Sequence, residues 1–291
     1  MDTKTYKFSV SSIKEFEQCG LKFKLGRIDK VQKDPESTHH RWIGKVVHAS
    51  IYASIAKMNL EEGFKSWELT GDAPDIEKSK AFFDAAWDGT EDKYLKEAIA
   101  LEAGPTPSPD KFIKGKIKAL MDDNKTNRML AWRTVAWEMV QNGVKIISKL
   151  PKILHIEKKI LLQYKERTFT GYVDIIAEGS DGKVIFLDFK TSWQKPSPVD
   201  LDSDIQFIFY SYALKEMLEL PYNPVGFYVH LKSTTVFPVN VDEVLLDRMD
   251  NMITKSLTRL DKGLFFHNKG SYLCPYCDFY SKCYGEEKVW P

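Results

Sequence analysis

Two aspartates and a lysine lie close together in a segment rich in β-branched residues. Asp188 and Lys190 are two positions apart in the run VIFLDFK, so in a strand both side chains point to one face. Asp174 ends the preceding predicted strand, and a simple hairpin register brings it next to Asp188. A carboxylate buried in an apolar strand without a partner is costly. A divalent cation would supply that partner, lower the pKa of its bound water and stabilise charge on a transferring phosphate, while the lysine orients water or offsets charge.

The Asp-x-Lys pattern alone is short, and a plain ion pair at a strand end explains it equally well. Other polar residues at regular spacings accompany it. A glycine precedes each of two candidate ligands, and a glutamine and a tyrosine four apart share one face of a predicted helix. In chain order the pattern is Gly44-x-x-x-His48, Gly171-x-x-Asp174, Asp188-x-Lys190 and Gln206-x-x-x-Tyr210. Glu157 is a weaker acidic candidate, because Lys158 and Lys159 beside it indicate a charged strand end.

The elements that carry these residues fall into a helical part and a part rich in strands. Serines at 9, 11 and 12 predict a capped helix before Cys19, and residues 41–58 predict a longer one. Residues 75–100 and 111–150 also have helical spacing, separated by the proline-rich GPTPSPD. We therefore expect residues 59–150 to be a helical insertion.

From residue 151 onward the pattern is typical of strands. Three apolar runs separated by turns predict an antiparallel meander over 153–192. A helix capped at Asp202 or Ser203, a strand pair and a helix ended by Gly263 follow. The resulting fold class is α/β (α+β).

Charge is distributed unevenly along the chain. The chain has 42 basic and 41 acidic residues, so its net charge of +1 excludes a uniformly basic nucleic-acid coat. Residues 59–110 hold 5 basic and 13 acidic residues, whereas residues 111–170 hold 14 and 5. The basic block predicts either a phosphate-facing surface or a solvated helical face. The candidate DNA-binding residues are Lys111, Lys114, Lys116, Lys118, Arg128 and Arg133.

The four cysteines stand at both ends of the chain. Cys274, Cys277 and Cys283 form a C-x2-C-x5-C group, and Cys19 is the remaining cysteine. Four thiolates suit zinc or an iron–sulfur cluster. Unrelated free thiols are the alternative, and disulfides are disfavoured because nothing marks the chain as secreted.

The order of these motifs resembles the RecB-like branch of the PD-(D/E)xK nuclease superfamily, over roughly residues 9–55 and 151–285. The resemblance implies a restriction-endonuclease-like core, with a central mixed sheet flanked by helices. It implies Mg²⁺ or Mn²⁺ bound by His48, Asp174, Asp188 and the backbone carbonyl of Phe189. It also implies that Lys190 is the catalytic lysine and that Gln206 and Tyr210 support catalysis and position DNA. Val173 stands where the superfamily name has proline.

A subset of this branch, which includes AddB-type subunits and CRISPR-associated RecB-like exonucleases, shares the cysteine spacing. That similarity implies a 4Fe–4S cluster held by Cys19, Cys274, Cys277 and Cys283, which staples the chain ends together. Gly20 departs from the proline that usually follows the first cysteine. The implied organisation is N-terminal helices over 1–58, the insertion over 59–150, the nuclease core over 151–263 and a cysteine segment over 264–291.

The implied function is a metal-dependent DNA exonuclease acting on single strands or frayed ends, in recombination, repair or CRISPR adaptation. The alternative is a DNA-binding or assembly subunit with a vestigial nuclease centre. A Gly-rich phosphate loop and helicase motifs are absent from the sequence, so unwinding would need a helicase or recombination partner. No apolar run reaches the roughly 18–20 residues that span a bilayer. We therefore expect no membrane association and a cytoplasmic location in a bacterial, archaeal or phage-infected cell.

Overall fold

The computed structural model describes most of the chain in five long stretches. These are residues 6–33, 39–61, 64–101, 125–197 and 201–285, apart from 202–203, 272 and 275–276. The strands are β1 (Phe8–Ser9), β2 (Ala56–Glu61), β3 (Phe64–Leu69), β4 (Lys152–Tyr164), β5 (Arg167–Glu178), β6 (Val184–Lys190), β7 (Val225–His230) and β8 (Thr235–Val239). The helices are α1 (Val10–Gln18), α2 (Gly20–Phe23), α3 (His39–Ala53), α4 (Ile76–Leu101), α5 (Lys125–Ile147), α6 (Ile205–Met217), α7 (Glu243–Asp261) and α8 (Tyr280–Tyr284).

Six of the described strands form one mixed sheet, as the sequence predicts. The meander β4–β5–β6 is antiparallel, β7 joins β6 in parallel, and β8 closes the edge antiparallel to β7. The parallel step is made by α6, which carries the chain back across the sheet. β2 and β3 form a separate hairpin.

β5 is the strand that creates the cleft of the molecule. β4 pairs with it from Arg167 to Glu178 and so occupies one whole edge. β1 and β6 must therefore share the other edge: β1 pairs in parallel as far as Thr170, and β6 pairs antiparallel from Ile175 onward. Residues 171–174 lie between these two partners. On this edge the ladder of β5 is interrupted over these four residues.

Helices cover both faces of the sheet and divide the core in two. Alternate residues of β6 point to opposite faces of the sheet. Phe186 packs with α1, α6 and α7, whereas Leu187 and Phe189 pack with α3, α4 and α5. The buried residues of α7 recur every three or four positions, which is the spacing of an amphipathic helix that packs one face on the core. No helix among the described residues is long and apolar enough to cross a membrane.

The structure differs from the sequence-based expectations at several element ends. The helix predicted over 41–58 ends at Ala53, and the chain turns into β2 at Ala56 because this segment pairs with β3. The predicted helical stretch 59–150 thus begins with a hairpin. The N-cap of α6 is Asp204, whose side chain accepts from the N–H of Gln206, rather than residue 202 or 203. The predicted serine cap of α1 is present at Ser9. The division of the chain into four domains stays a prediction.

Candidate active site

Asp174 lies in the gap between the two partners of β5. The N–H of Phe189 on β6 donates to its Oδ2 at 2.7 Å, so the side chain of Asp174 bridges the two strands beyond the end of their paired segment. The hairpin register pairs Ile175 with Leu187, which places Asp174 across from Asp188, as the sequence predicts. The side chain of Asp174 is 15% exposed. A buried carboxylate is thus aimed into the cleft by the sheet.

Asp188 and Lys190 project from the end of β6 on the same side. Asp188 is buried, and its Oδ2 lies 2.5 Å from Nζ of Lys190. Nε2 of Gln206 donates to the other oxygen, Oδ1, at 2.9 Å. Oδ2 has no hydrogen-bond partner of good geometry among the described residues, so the ion pair is its main contact. The structure therefore contains the plain ion pair that the sequence left open, inside a larger cluster.

α6 supplies the glutamine and the tyrosine. Gln206 and Tyr210 are one helical turn apart, and Nε2 of Gln206 lies 3.3 Å from the hydroxyl of Tyr210. Oε1 of Gln206 accepts from Lys190 at 3.4 Å. The ring of Tyr210 lies against Gly171, where an added Cβ would come within 2.7 Å of Cε1. The glycine of the Gly-x-x-Asp motif thus makes room for this ring.

α3 approaches the same cluster from the other side of the sheet. Nδ1 of His48 lies 3.5 Å from Oδ1 of Asp174. Gly44, one turn earlier, lies close to Thr191, because its added Cβ would be 3.2 Å from the hydroxyl of that residue. The structure therefore assembles all of the predicted core residues: His48, Asp174, Asp188, Lys190, Gln206 and Tyr210.

The sequence analysis missed one member of this cluster. The fully buried Tyr52 donates its hydroxyl to Oδ1 of Asp174 at 3.0 Å. Tyr52 follows His48 by four residues and so lies on the same helix face. This spacing was the available signal, but a tyrosine in an apolar helix is more often part of the core.

Glu157 lies on β4, the strand that pairs with β5. The pairs on either side of it, Ile156 with Ile175 and Lys158 with Val173, set it across from Asp174. Its φ of 44° is left-handed inside a strand, and its side chain is exposed. It remains a candidate at the rim of the site.

The pKa values of the two aspartates are shifted in opposite directions. Burial raises the pKa of Asp188, and the Asp174 carboxylate adds to this, so the pKa stands above its ordinary value despite Lys190. Burial also raises the pKa of Asp174, but His48 and the N–H of Phe189 outweigh it, and the net shift is downward. Burial lowers the pKa of Lys190, yet Asp188 outweighs burial and the net shift is upward. Lys190 is therefore a fixed cation beside two carboxylates.

The pKa values of the other three groups of the cluster are also shifted upward. Burial lowers the pKa of His48, but Asp174 outweighs it, and the net shift is upward. Burial raises the pKa of Tyr210 to about 12, and it raises that of Tyr52 well above the ordinary value. Both tyrosines therefore keep their protons near neutral pH, and Tyr52 donates its own to Asp174.

A sequence model of the PD-(D/E)XK nuclease superfamily matches residues 7–284. The chain belongs to this superfamily. The matched range contains the whole cluster and both cysteine-bearing ends, and the Asp-x-Lys at 188–190 is the motif that the superfamily name describes.

Other comparisons add little to the superfamily assignment. No functionally curated protein matches the chain in sequence. A crystal structure of a "Putative exonuclease" from Eubacterium rectale aligns at 10% identity with a TM-score of 0.45, covering 95% of this chain and 92% of that one. A structural similarity this low does not indicate the chemistry of the site, which must be inferred from the chain's own residues.

The acidic cluster has the donor chemistry of the divalent cation expected of a PD-(D/E)XK nuclease. Members typically use Mg²⁺ or Mn²⁺, which prefer carboxylate and carbonyl oxygens. Oδ2 of Asp188 is a buried carboxylate oxygen whose contact among the described residues is the ion pair with Lys190. As placed, the described residues contain no group of three His, Cys, Asp or Glu side chains arranged to hold one ion. Lys190 pairs with Asp188 in this arrangement, so the donors are assembled but are not set as a closed coordination shell.

The four cysteines come together at one place, although they lie at opposite ends of the chain. All four are free, and all four line one cavity of about 30 Å³. Burial raises the pKa of Cys283, and the neighbouring Cys19 and Cys274 raise it further. As placed, they too fall short of a three-ligand group among the described residues.

Protein contacts alone already join the two chain ends. The N–H of Leu21 donates to the carbonyl of Phe266 at 3.3 Å. Gly20 lies so close to that carbonyl oxygen that an added Cβ would be 2.9 Å away. Nζ of Lys33 pairs with the buried Asp278 at 2.6 Å. Glycine at position 20, where the resemblance leads one to expect proline, is thus required by close backbone packing.

The predicted DNA-binding residues are only partly placed. Lys111, Lys114, Lys116 and Lys118 lie outside the described residues, and Arg128 lies in α5 with its side chain not described. Arg133 instead joins two helices: it pairs with Asp84 at 2.9 Å and Asp88 at 2.5 Å. A DNA contact by Arg133 stays a prediction and competes with these carboxylates. The acidic α4 and basic α5 therefore offset each other's charge.

Proposed function

We propose that this protein is a metal-dependent DNA nuclease that hydrolyses phosphodiester bonds, acting as an exonuclease on single strands or DNA ends. The observation that supports it most directly is the Asp174–Asp188–Lys190 cluster, with Asp188 buried, in a chain of the PD-(D/E)XK nuclease superfamily. Two adjacent carboxylates and a fixed cation are what in-line attack on a phosphodiester needs.

The chain's own residues have distinct tasks in this proposal. Lys190, held as a cation by Asp188, stabilises negative charge that develops on the phosphate oxygens. Gln206 orients both groups, since it donates to Asp188 and accepts from Lys190. The hydroxyl of Tyr210 accepts from Nε2 of Gln206 and so helps to hold the glutamine in place. Tyr52 and the N–H of Phe189 hold Asp174 in its orientation.

The ligands that would hold the cation are Asp174, Asp188, His48 and the carbonyl of Phe189. When bound, Mg²⁺ or Mn²⁺ supplies a water of lowered pKa and a positive charge at the scissile phosphate. The carboxylates are buried beside one another, and a cation would offset their repulsion.

The proposal is tested by incubating the purified protein with end-labelled single-stranded and duplex DNA. We expect degradation in Mn²⁺ or Mg²⁺, with single strands or frayed ends preferred, and none with a chelator. Lys190→Met should lower the rate by about 10²–10³-fold, as for other preorganised groups that stabilise the transition state. A label at one end shows the polarity of cutting.

The matched control is Lys183→Met, which removes a lysine whose side chain is 61% exposed and lies 3.8 Å from the carboxylate of Asp181. It should degrade DNA at the wild-type rate. DNA left intact by the wild type in both metals, or equal loss of activity in the two variants, would refute the proposal. Tight binding without cutting would favour a DNA-binding subunit.

For the cysteines we propose a 4Fe–4S cluster held by Cys19, Cys274, Cys277 and Cys283. The shared cavity supports a common ligand, and four thiols suit iron–sulfur chemistry. Protein purified without oxygen should be brown, contain iron, and lose its visible absorbance on reduction. A colourless protein that contains zinc would overturn the iron assignment, and one that contains neither metal would leave four free thiols.

A further inference from the structure

A second cavity lies beside the acidic cluster and takes no part in the chemistry above. Its volume is about 170 Å³. Two tryptophans, aliphatic side chains and hydroxyls line it, and these come from α5, from Ile43 of α3 and from the segment after β6. The residues that matter here are Trp132, Ala136 and Met139 on one side and Thr191, Ser192 and Trp193 on the other.

Chain connectivity fixes this cavity next to the cluster. Thr191 and Ser192 directly follow Lys190, so one wall begins where β6 delivers the lysine. Ile43, in another wall, lies five residues before His48 on α3, a distance of about 7.5 Å along the helix. The close packing of Gly44 on Thr191 joins these two walls. A group in the cavity therefore lies beside the segment that directly follows Lys190.

The cavity wall after β6 is held in place by the neighbouring strand. His230 is buried on β7, paired with Lys190 across the sheet. Its Nε2–H donates to the carbonyl of Ser192 at 2.8 Å, and its Nδ1 lies 2.7 Å from Oγ of Ser233. Nζ of Lys232 lies 3.6 Å from the ring centroid of Trp193. These contacts preorganise the segment that carries Trp193.

The size and lining of the cavity indicate what it accepts. Drug-sized ligands occupy roughly 300–1,000 Å³, whereas a cavity of about 150 Å³ takes a single aromatic ring such as benzene. Two indole rings favour a flat aromatic guest, and the hydroxyls of Thr191 and Ser192 can bond to its polar edge. The ammonium of Lys232 beside it favours a guest that belongs to a polyanion.

We propose that this cavity binds one unpaired nucleobase of the DNA strand, adjacent to the phosphate held at Lys190. The inference rests on the proposed function and makes it specific: the substrate presents an unstacked base, so a single strand or a frayed end is selected over a closed duplex. A base within a duplex cannot enter, because its faces and its pairing edge are already occupied. Trp193 positions the strand for the reaction.

The test is a binding scan in a chelator, where no cutting interferes. The DNA is a hairpin with a short single-stranded tail, so that the duplex end fixes the position of the strand on the protein. Each oligonucleotide has one abasic site, at a different position of the tail. The series is made with 5′ tails and with 3′ tails. Fluorescence anisotropy should show one position, or two neighbours, at which loss of the base weakens binding by about 5- to 150-fold, the range of one base–aromatic stack. All other positions should bind like the intact tail.

Three variants make the scan decisive. Trp193→Ala removes a wall, and Ala136→Leu fills the cavity from α5; both should bind the intact tail more weakly and lose the position dependence. Phe266→Ala, which truncates an aromatic side chain that is 66% exposed, should leave the scan unchanged. Circular dichroism checks that all three are folded.

The outcomes separate this inference from the proposed function. A flat scan in the wild type, an unchanged scan in both cavity variants, or no DNA binding at all overturns the inference. Cutting in Mn²⁺ together with a flat scan leaves the nuclease proposal standing without this cavity. A position-dependent scan without cutting in any metal leaves the cavity standing and refutes the nuclease proposal.

Discussion

Replacing Tyr52 by phenylalanine tests whether α3 holds Asp174 in place. The change removes one hydroxyl and leaves the ring, which packs edge-to-face on Trp67. The lost interaction is a 3.0 Å hydrogen bond from a fully buried donor to a carboxylate that is 15% exposed. Hydrogen bonds to charged groups contribute about 1.5–3 kcal/mol, so we expect the free energy of unfolding to fall by that amount.

The measurement is a urea titration without divalent metal, followed by tryptophan fluorescence. The matched control is Tyr228→Phe, another buried tyrosine, whose hydroxyl lies 3.4 Å from the neutral Oγ of Ser192. That bond is long and uncharged, so its loss should cost no more than about 1 kcal/mol.

The same variant should also affect DNA degradation. Groups that orient a metal ligand typically contribute about 10–100-fold to metal affinity or activity, so Tyr52→Phe should slow degradation within that range. Equal loss of stability in the two variants, or a change below about 0.5 kcal/mol for Tyr52→Phe, would refute the assigned bond to Asp174.

Three further substitutions test the packing and the charges around the site. Gly171→Ala should lower stability by about 1–3 kcal/mol and slow DNA degradation, because its Cβ would displace the ring of Tyr210; urea titration and a nuclease assay check this. Gly20→Ala should destabilise the protein by a similar amount, since its Cβ would meet the backbone of Phe266; a normal urea midpoint would contradict this packing. Burial raises the pKa of Asp250, but its bonds to a lysine and a tyrosine outweigh this, and the net shift is downward. Its contribution to stability is therefore present above about pH 4 and is lost at lower pH, and Asp250→Asn should remove this part of the acid dependence in urea titrations over that range.

The residues of the candidate site were predictable because each belongs to a local pattern. The alternation within VIFLDFK places Asp188 and Lys190 on one face, and the hairpin register brings in Asp174, as observed. Helical spacing places Gln206 and Tyr210 together, and their hydrogen bond agrees with it.

Features that depend on distant pairing were not predictable. The gap in β5 arises because β1, only two residues long, pairs at Phe169 and Thr170, more than 150 residues away in sequence. The turn at Ala53 and the hairpin after it depend on pairing with β3 rather than on helix propensity. Arg133 was expected to face DNA because of its positive charge. Its pairing with two carboxylates of α4 depends on how the two helices pack, which the sequence does not show.

The central claim is that Asp188 belongs to a working phosphodiesterase site. Its most direct test is the single-turnover rate of degradation of end-labelled single-stranded DNA in Mn²⁺, comparing Asp188→Asn with Asp181→Asn, whose carboxylate is 60% exposed. The two substitutions make the same chemical change, and DNA binding measured in parallel should persist in both. We predict a fall of at least about 100-fold for Asp188→Asn alone. Rates within tenfold of the wild type for Asp188→Asn would contradict the account.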